Sequence, residues 1–224
     1  MLLDSLMTPE LLAYLQSLLT PRRRALFTKI LAQRTRHFTV VTEDVYQMHN
    51  TSAVMRSCDV FGIQDLHVIE ERFGKRVDKE IAMGAQKWIN IHRHSSAKDC
   101  LKLLKASGYQ IVATTPHDGV PLDEFDVTKK SALLFGTEKK GLSPELLEQA
   151  DVALTIPMYG FTESLNISVS AAIILNELVG RMRRAGAPWA LSDDERYALE
   201  CAWTKASIKD APRIIERFNQ ENGL

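Results

Sequence analysis

Residues 132–156 read ALLFGTEKKGLSPELLEQADVALTI, an apolar run, a glycine-bearing loop, a short polar segment and a second apolar run. Ser143 and Pro144 are typical of a helix cap and of the first residue of a helix. A strand, a helix and a further strand in this order predict two parallel strands joined by a crossover helix.

The same alternation continues outward from this unit through the middle of the chain. Apolar runs separated by helix-like stretches occupy residues 38–41, 66–69, 88–91, 109–113, 132–135 and 152–156. Asn50 is expected to cap the first intervening helix and Gly62 to end it, and a long helix over 167–184 closes the series. The pattern predicts an α/β fold with a parallel sheet.

Both ends of the chain follow a helical pattern instead. Apolar residues at helical spacing over 11–31 predict two helices that are broken at Pro21. A capped helix start is expected at Ser192, and another helix is expected after Asp210. We therefore expect three parts, which are an N-terminal helical extension over 1–36, a central domain over 37–184 and a C-terminal helical extension over 185–224.

Composition narrows the class of protein. The chain has 224 residues, of which 45% are hydrophobic and 25% charged, and it lacks an apolar run of the roughly 20 residues that a membrane span needs. Residues 1–10 do not resemble a secretory signal, so we expect a cytoplasmic protein without membrane partners. Its three cysteines form no C-x-x-C pattern, which favours reduced thiols over a structural zinc site.

The formal net charge is zero, but the positive charge is unevenly distributed. No acid interrupts a cluster of six basic residues near the N-terminus, Arg22, Arg23, Arg24, Lys29, Arg34 and Arg36. Such a cluster favours contact with the phosphates of a nucleic acid. A solvated helix face beside an acidic protein surface is the alternative.

Two glycine-bearing loops follow predicted strands. The loop 136–143 resembles a phosphate-binding P-loop, but Leu142 stands where that motif requires lysine, so nucleotide hydrolysis is not expected. The G-x-G-x-x-G dinucleotide motif is also absent. Glycines at the carboxyl end of a strand let backbone amides approach a ligand, and this applies to 136–143 and to 156–166. A plain connecting loop is the alternative interpretation of 156–166.

Three segments together carry a family resemblance. They contain Asn50-x-x-Ala53-x-x-Arg56, then Phe135-Gly136-x-Glu138-x-x-Gly141, and then residues 156–169, which read IPMYGFTESLNISV. In order and spacing they resemble the three motifs of the SpoU/TrmH family of SPOUT methyltransferases, over roughly residues 37–184. The resemblance implies a parallel sheet whose C-terminal part forms a trefoil knot, with S-adenosylmethionine bound in the knot.

The resemblance also implies roles for individual residues. The expected cofactor contacts are Thr114, Thr115, Pro116, Phe135, Gly136, Ile156, Met158 and Leu165. Arg56 is the expected catalytic residue, although an arginine is a poor general base and is better suited to orienting a phosphate and the hydroxyl. Asn50 would support Arg56 or the ligand, Glu138 would order the site, and Ser164 and Asn166 would position the cofactor and substrate loops. His49, next to the first motif, is a rival base or a surface histidine.

Substrate and partners follow from the same resemblance. It implies 2′-O-methylation of a tRNA guanosine, at position 18 of the D-loop, by a homodimer whose interface includes the helix over 167–179. Methylation of ribosomal RNA and a non-catalytic RNA-binding role are the alternatives. The basic cluster would then contact the tRNA backbone. His92 and His94 share one face of a strand, but the sequence offers no third ligand, so no metal is expected.

Overall fold

A computed structural model describes residues 7–45, 48–70, 84–137 and 140–223. These residues form seven strands, which are β1 Phe38–Glu43, β2 Asp65–Ile69, β3 Asn90–His94, β4 Gln110–Thr114, β5 Val120–Pro121, β6 Ser131–Phe135 and β7 Val152–Thr155. They also form eight α-helices, which are α1 Pro9–Ser17, α2 Pro21–Leu31, α3 Met48–Phe61, α4 Ala97–Ala106, α5 Pro144–Glu148, α6 Ile167–Arg184, α7 Asp193–Ser207 and α8 Ala211–Glu221.

The strands form one parallel sheet, which confirms the predicted fold class. Their order is β3-β2-β1-β6-β4-β7-β5, and each neighbouring pair runs in parallel. Every residue of β1, β2 and β6 is buried, as expected for central strands covered on both faces. Because the strands are parallel, their carboxyl ends meet at one edge of the sheet, where α/β folds bind ligands.

Two helical layers cover the two faces of the sheet. Val40 and Leu133 point to the face that packs against α3 and α6. Their neighbours Val41 and Leu134 point to the opposite face, against α4 and α5. The buried side of α6 repeats at helical spacing, with Ala171, Ile174, Leu175 and Leu178 in the first of these clusters.

Capping residues and glycines that the sequence predicts at helix ends lie there in the structure, except at the start of α3. Ser143 caps α5 and Pro144 is its first residue, as predicted, and α3 is followed by Gly62 with a φ of 81°. The prediction that Asn50 caps this helix was wrong, because α3 already begins at Met48 and Asn50 lies inside it with only 3% exposure. Asn50 is held as a buried polar side chain instead.

The terminal helices form a compact unit of their own, from residues 1–34 and 191–224, while residues 35–190 form the second unit. Within the terminal unit, the rings of Phe27 and Trp203 lie 5.7 Å apart, and those of Tyr14 and Phe218 lie 5.0 Å apart. Aromatic packing thus joins the two expected extensions, which are far apart in sequence. No helix in the described ranges has the length and apolar character that a membrane crossing requires.

Candidate active site

A cavity of about 480 Å³ lies where β4, β6 and β7 end, at the carboxyl edge of the sheet. This is within the usual size range of small-molecule sites. Three separate loops line it, one after β4, one after β6 and one between β7 and α6. The lining includes all eight residues that were expected to contact a cofactor, Thr114, Thr115, Pro116, Phe135, Gly136, Ile156, Met158 and Leu165.

The loop after β4 is fixed by hydrogen bonds to the neighbouring strands. Oγ1 of Thr114 donates to the backbone oxygen of Leu134 at 2.7 Å. The backbone N–H of Thr115 donates to the backbone oxygen of Leu154 at 2.9 Å. One wall of the cavity is therefore held to both β6 and β7 before any ligand binds.

The loop after β6 closes on itself at the glycines. Thr137 and Gly141 exchange both backbone hydrogen bonds at 2.9 Å. A Cβ atom on Gly136 would lie 2.1 Å from the carbonyl carbon of Gly141, so only glycine fits there. Glu138, which was expected to order the site, lies outside the described residues.

Glu43 anchors the far end of this loop and was not singled out from the sequence. Glu43 is only 7% exposed, and its Oε2 accepts a 2.7 Å hydrogen bond from the backbone N–H of Ser143. A backbone N–H at the start of a helix favours a negative partner. The available signal was an acid that ends the apolar run of β1.

The loop between β7 and α6 brings two predicted residues together. Ser164 lines the cavity, and Asn166 caps α6 by accepting a 2.9 Å hydrogen bond from the backbone N–H of Ser168. Nδ2 of Asn166 also donates to Oδ1 of Asn50 at 3.3 Å. The first and third sequence motifs therefore meet through a contact between two amide side chains.

Arg56, the expected catalytic residue, does not lie with the predicted residues that line the cavity. It is exposed, and it is not among the described residues that line the cavity. Six residues along an α-helix turn the side-chain direction by about 120° after full turns are subtracted, so Arg56 and Asn50 lie on different faces of α3. His49 is exposed as well. The predicted catalytic arginine is therefore not part of the described lining of the cavity.

Three ionisable lining residues were missed from the sequence, His117, Lys140 and Glu163. Glu163 lies inside the third motif, but its role there could not be inferred from spacing. Glu163 is the acidic residue of these three, and its carboxylate suits a ligand that carries positive charge. Apolar walls are provided by Leu142, Ile156 and other aliphatic side chains.

A family model decides the affiliation of the chain. The model of the SpoU rRNA Methylase family matches residues 37–176, which includes the sheet, the cavity loops and most of α6. The chain belongs to the SpoU methylase family. The predicted family resemblance is thereby confirmed, and its motifs are those that meet at the carboxyl edge of the sheet.

Relatives of this SpoU methylase share much of its length. A tRNA (guanosine(18)-2′-O)-methyltransferase of Borreliella burgdorferi is 36% identical over 206 residues, covering 92% of this chain and 94% of the relative. The enzyme of the same name from Thermus thermophilus is 38% identical over 168 residues, 75% of this chain and 87% of its own. The crystal structure of the A. aeolicus TrmH/SpoU tRNA modifying enzyme superposes with a TM-score of 0.74 at 33% identity, covering 84% of this chain and 98% of that one.

The basic cluster of this SpoU methylase divides into exposed and internal residues. Arg22, Arg23, Arg24 and Lys29 are exposed on α2. Arg34 is only 1% exposed, and its guanidinium lies 5.3 Å from the centre of the Trp203 ring, so the prediction that it contacts RNA is corrected.

Arg36 is also engaged within the protein. Its Nε donates to Oδ2 of Asp65 at 2.7 Å, and its side chain is 28% exposed. Arg36 therefore serves as an ion-pair partner inside the central unit, and it is a poorer phosphate ligand than the exposed arginines of α2.

The histidines of β3 have partners that the sequence did not reveal. Nε2 of His92 lies 2.9 Å from Oδ1 of Asp65, and Nε2 of His94 lies 2.9 Å from Nδ1 of His67. Burial, followed by the nearby His92 and His94, lowers the pKa of His67 to about 4, so its imidazole is neutral at pH 7. The third histidine that was not apparent from the sequence comes from β2.

Proposed function

We propose that this SpoU methylase transfers a methyl group from S-adenosylmethionine to the ribose 2′-oxygen of guanosine 18 in tRNA. The observation that carries the proposal is that the eight residues expected to contact the cofactor, from three separate loops, line one cavity at the sheet edge. The substrate rests on relatives named tRNA (guanosine(18)-2′-O)-methyltransferase that cover most of this chain.

The cavity has features that fit S-adenosylmethionine. A solved relative, the SpoU methyltransferase AviRb from Streptomyces viridochromogenes, was determined in complex with AdoMet, at 27% identity and a TM-score of 0.62, covering 68% of this chain and 63% of that one. In this chain, glycine at position 136 lets the loop return closely at Gly141 beside the cavity, and Glu163 offers a carboxylate to a cationic ligand. The bound cofactor supplies an activated methyl group on a positively charged sulfur.

Arg56 has the chemistry of an orienting residue. Transfer to a ribose hydroxyl is an in-line displacement, which requires the oxygen to be aligned and its proton to be removed. A guanidinium stays protonated and holds phosphates through paired hydrogen bonds, so we assign Arg56 to the orientation of the substrate phosphate and hydroxyl. Asn50, Ser164 and Asn166 position the loops, and Glu138 is assigned to ordering the glycine loop.

Placement of Arg56 outside the cavity supports a homodimer in which Arg56 of one protomer serves the cavity of the other. The exposed side of α6 and the preceding loop carries Leu165, Val169 and Ile173, with exposed fractions of 38%, 45% and 39%. Val169 and Ile173 lie four positions apart and form an apolar stripe on α6, whereas Leu165 precedes the helix and also lines the cavity. We assign this stripe to the interface, whereas the opposite side of α6 is occupied by the core.

Three further assignments complete the proposal. Exposed Arg22, Arg23, Arg24 and Lys29 contact the tRNA backbone, which positions the RNA without reading its sequence. The C-terminal part of the central unit is threaded as a trefoil knot, as in the family that the motifs resemble. A tRNA substrate and the lack of disulfides among the three cysteines, all within the described ranges, favour the cytoplasm.

The test uses methyl-labelled S-adenosylmethionine with undermodified tRNA and with rRNA. Wild type is compared with Arg56→Ala and with Arg184→Ala, which removes an exposed arginine at the end of α6. We expect label at guanosine 18 that is lost in Arg56→Ala and kept in Arg184→Ala, while both variants bind the cofactor. Label confined to rRNA would overturn the substrate, and cofactor binding without any label would favour a non-catalytic RNA-binding role.

A further inference from the structure

Three histidine rings from two neighbouring strands stack on the face of the sheet that α4 covers. The rings of His67 and His92 lie 4.6 Å apart with an interplanar angle of 20°, and those of His67 and His94 lie 5.2 Å apart at 16°. The helix α4 contributes a buried thiol, Cys100, on the same face. None of these residues lines the cofactor cavity.

One ligand atom each from His67, His94 and Cys100 lies within 4.8 Å of the other two. We propose that these three side chains bind one Zn²⁺ ion, with a water molecule as the fourth ligand. Two imidazole nitrogens and a thiolate are donors that zinc prefers, and three protein ligands leave a tetrahedral site with one open position.

The distances are close to those of a zinc site. Zinc binds nitrogen at about 2.0–2.1 Å and thiolate sulfur at about 2.3 Å, so tetrahedral ligands lie about 3.3 Å apart for two nitrogens and about 3.6 Å for nitrogen and sulfur. Nδ1 of His67 and Nε2 of His94 are 2.9 Å apart. To bind zinc, the two histidine nitrogens would have to move slightly apart. The sulfur of Cys100 would have to approach them by at most about 1.2 Å. Rotations of the side chains can supply both movements.

His92 acts as a support for this site. Its Nε2 is engaged by Asp65 at 2.9 Å, and Asp65 also accepts hydrogen bonds from Arg36 and Asn90. Its ring packs flat on His67 and so limits the orientations of that imidazole. Partners of this kind, outside the set of ligands, commonly tune metal affinity by fixing the ligand rings.

The three proposed zinc ligands differ in how deeply they are buried. His67 and Cys100 are buried, whereas His94 is half-buried at the end of the edge strand β3, where a water molecule can enter. Binding requires loss of the thiol proton, which is released to solvent as the thiolate coordinates the metal. A bound ion would connect β2, the edge strand β3 and α4, so its expected effect is on stability and not on methyl transfer.

Cobalt and zinc titrations of the tag-free, chelator-treated protein test the proposal. Co²⁺ should produce a thiolate-to-cobalt charge-transfer band in the near ultraviolet, and Zn²⁺ should abolish it and raise the thermal unfolding midpoint. Cys100→Ser should lose the band and bind Zn²⁺ at least ~10-fold more weakly. Cys201→Ser, which removes a buried thiol of the terminal unit, should behave as wild type.

A second variant keeps the test decisive if Cys100→Ser does not fold. His94→Gln alters a half-buried side chain at the sheet edge, and it should weaken Zn²⁺ binding at least ~10-fold while leaving the far-ultraviolet circular dichroism unchanged. The proposal is overturned if wild type gives no thiolate band with Co²⁺, if Cys201→Ser loses the band, or if His94→Gln binds Zn²⁺ as tightly as wild type.

Discussion

At the scale of single residues, Gly136 is tightly constrained in the wall of the cavity. It follows the last residue of β6, and the chain returns past it at Gly141 so closely that no Cβ atom can be placed between them. The close approach is what lets the loop present its backbone to the cavity. Glycine is required at position 136 for lack of space, whereas at Gly141 it is required for the φ of 66°.

Gly136→Ala should therefore displace the loop. We expect the free energy of unfolding to fall by about 1–3 kcal/mol, because the added methyl group meets backbone atoms that cannot move aside cheaply. S-adenosylmethionine affinity, measured by calorimetry, should fall by at least ~10-fold.

Gly160→Ala is the matched control for Gly136→Ala. Gly160 lies in the loop between β7 and α6, and a Cβ there would have no atom within 4 Å. Its affinity for the cofactor should stay near that of wild type. Equal affinity in Gly136→Ala and Gly160→Ala would show that the glycine loop does not shape the cavity.

At the scale of elements, most helices of the chain begin with a side-chain cap that the sequence displays. Ser192 is the clearest case, because it accepts a hydrogen bond from the backbone N–H of Glu195, and the Glu195 carboxylate accepts one from the backbone N–H of Ser192. This reciprocal capping box satisfies two N–H groups that the helix leaves without partners. The box starts α7, whose Trp203 packs against Phe27 of α2.

Ser192→Ala should destabilise the terminal unit by about 1 kcal/mol, because the cap hydrogen bond is lost at a helix start. Urea unfolding followed by Trp203 fluorescence, in a background where the other two tryptophans are replaced by phenylalanine, would measure the change. Ser17→Ala serves as the control, since Ser17 lies at the end of α1 and donates only to the backbone oxygen of Tyr14. A loss in Ser17→Ala as large as in Ser192→Ala would contradict the capping explanation.

At the scale of the whole molecule, the proposed site requires a dimer, because Arg56 does not line the described cavity of its own chain. Ile173→Asp places a charge in the exposed apolar stripe of α6, and we expect it to shift the protein from dimer to monomer. Light scattering coupled to size-exclusion chromatography measures the mass, and methyl transfer should fall in parallel.

Leu103→Asp is the control for the dimer prediction. Leu103 is 48% exposed on α4, which covers the opposite face of the sheet, so this variant should remain dimeric and active. A dimeric Ile173→Asp variant would place the interface elsewhere. A monomeric variant with full activity would instead rule out a site shared between protomers.

The proposed binding of tRNA depends on how the positive charges are distributed over the surface. Arg22→Gln combined with Arg23→Gln should lower the slope of log affinity for tRNA against log salt concentration by about 1–2, because each phosphate contact contributes slightly less than one to the slope. Lys98→Gln combined with Lys102→Gln removes the same charge from exposed positions on α4. A similar change in both variants would indicate long-range attraction without a specific contact at α2.

The sequence by itself determined the features that depend on neighbouring residues. Apolar runs separated by helical segments predicted the parallel sheet, since a buried strand needs apolar side chains on both faces. Ser143, Pro144 and Ser192 predicted helix starts, because a cap acts within one turn. Motif order singled out the loops after β6 and β7, and the parallel strands bring these loops to one edge of the sheet, where both line the cavity.

Only the tertiary structure decided what depends on packing between distant segments. Arg34 is internal because Trp203, at the other end of the chain, lies against it. Asn50 is inside α3 and reaches Asn166, while Arg56 on another face of the same helix stays outside the cavity. Cys100 meets His67 and His94 because α4 folds back over β2 and β3. Local propensity contains no information on such contacts, which arise only when the sheet and helices bury their apolar faces together.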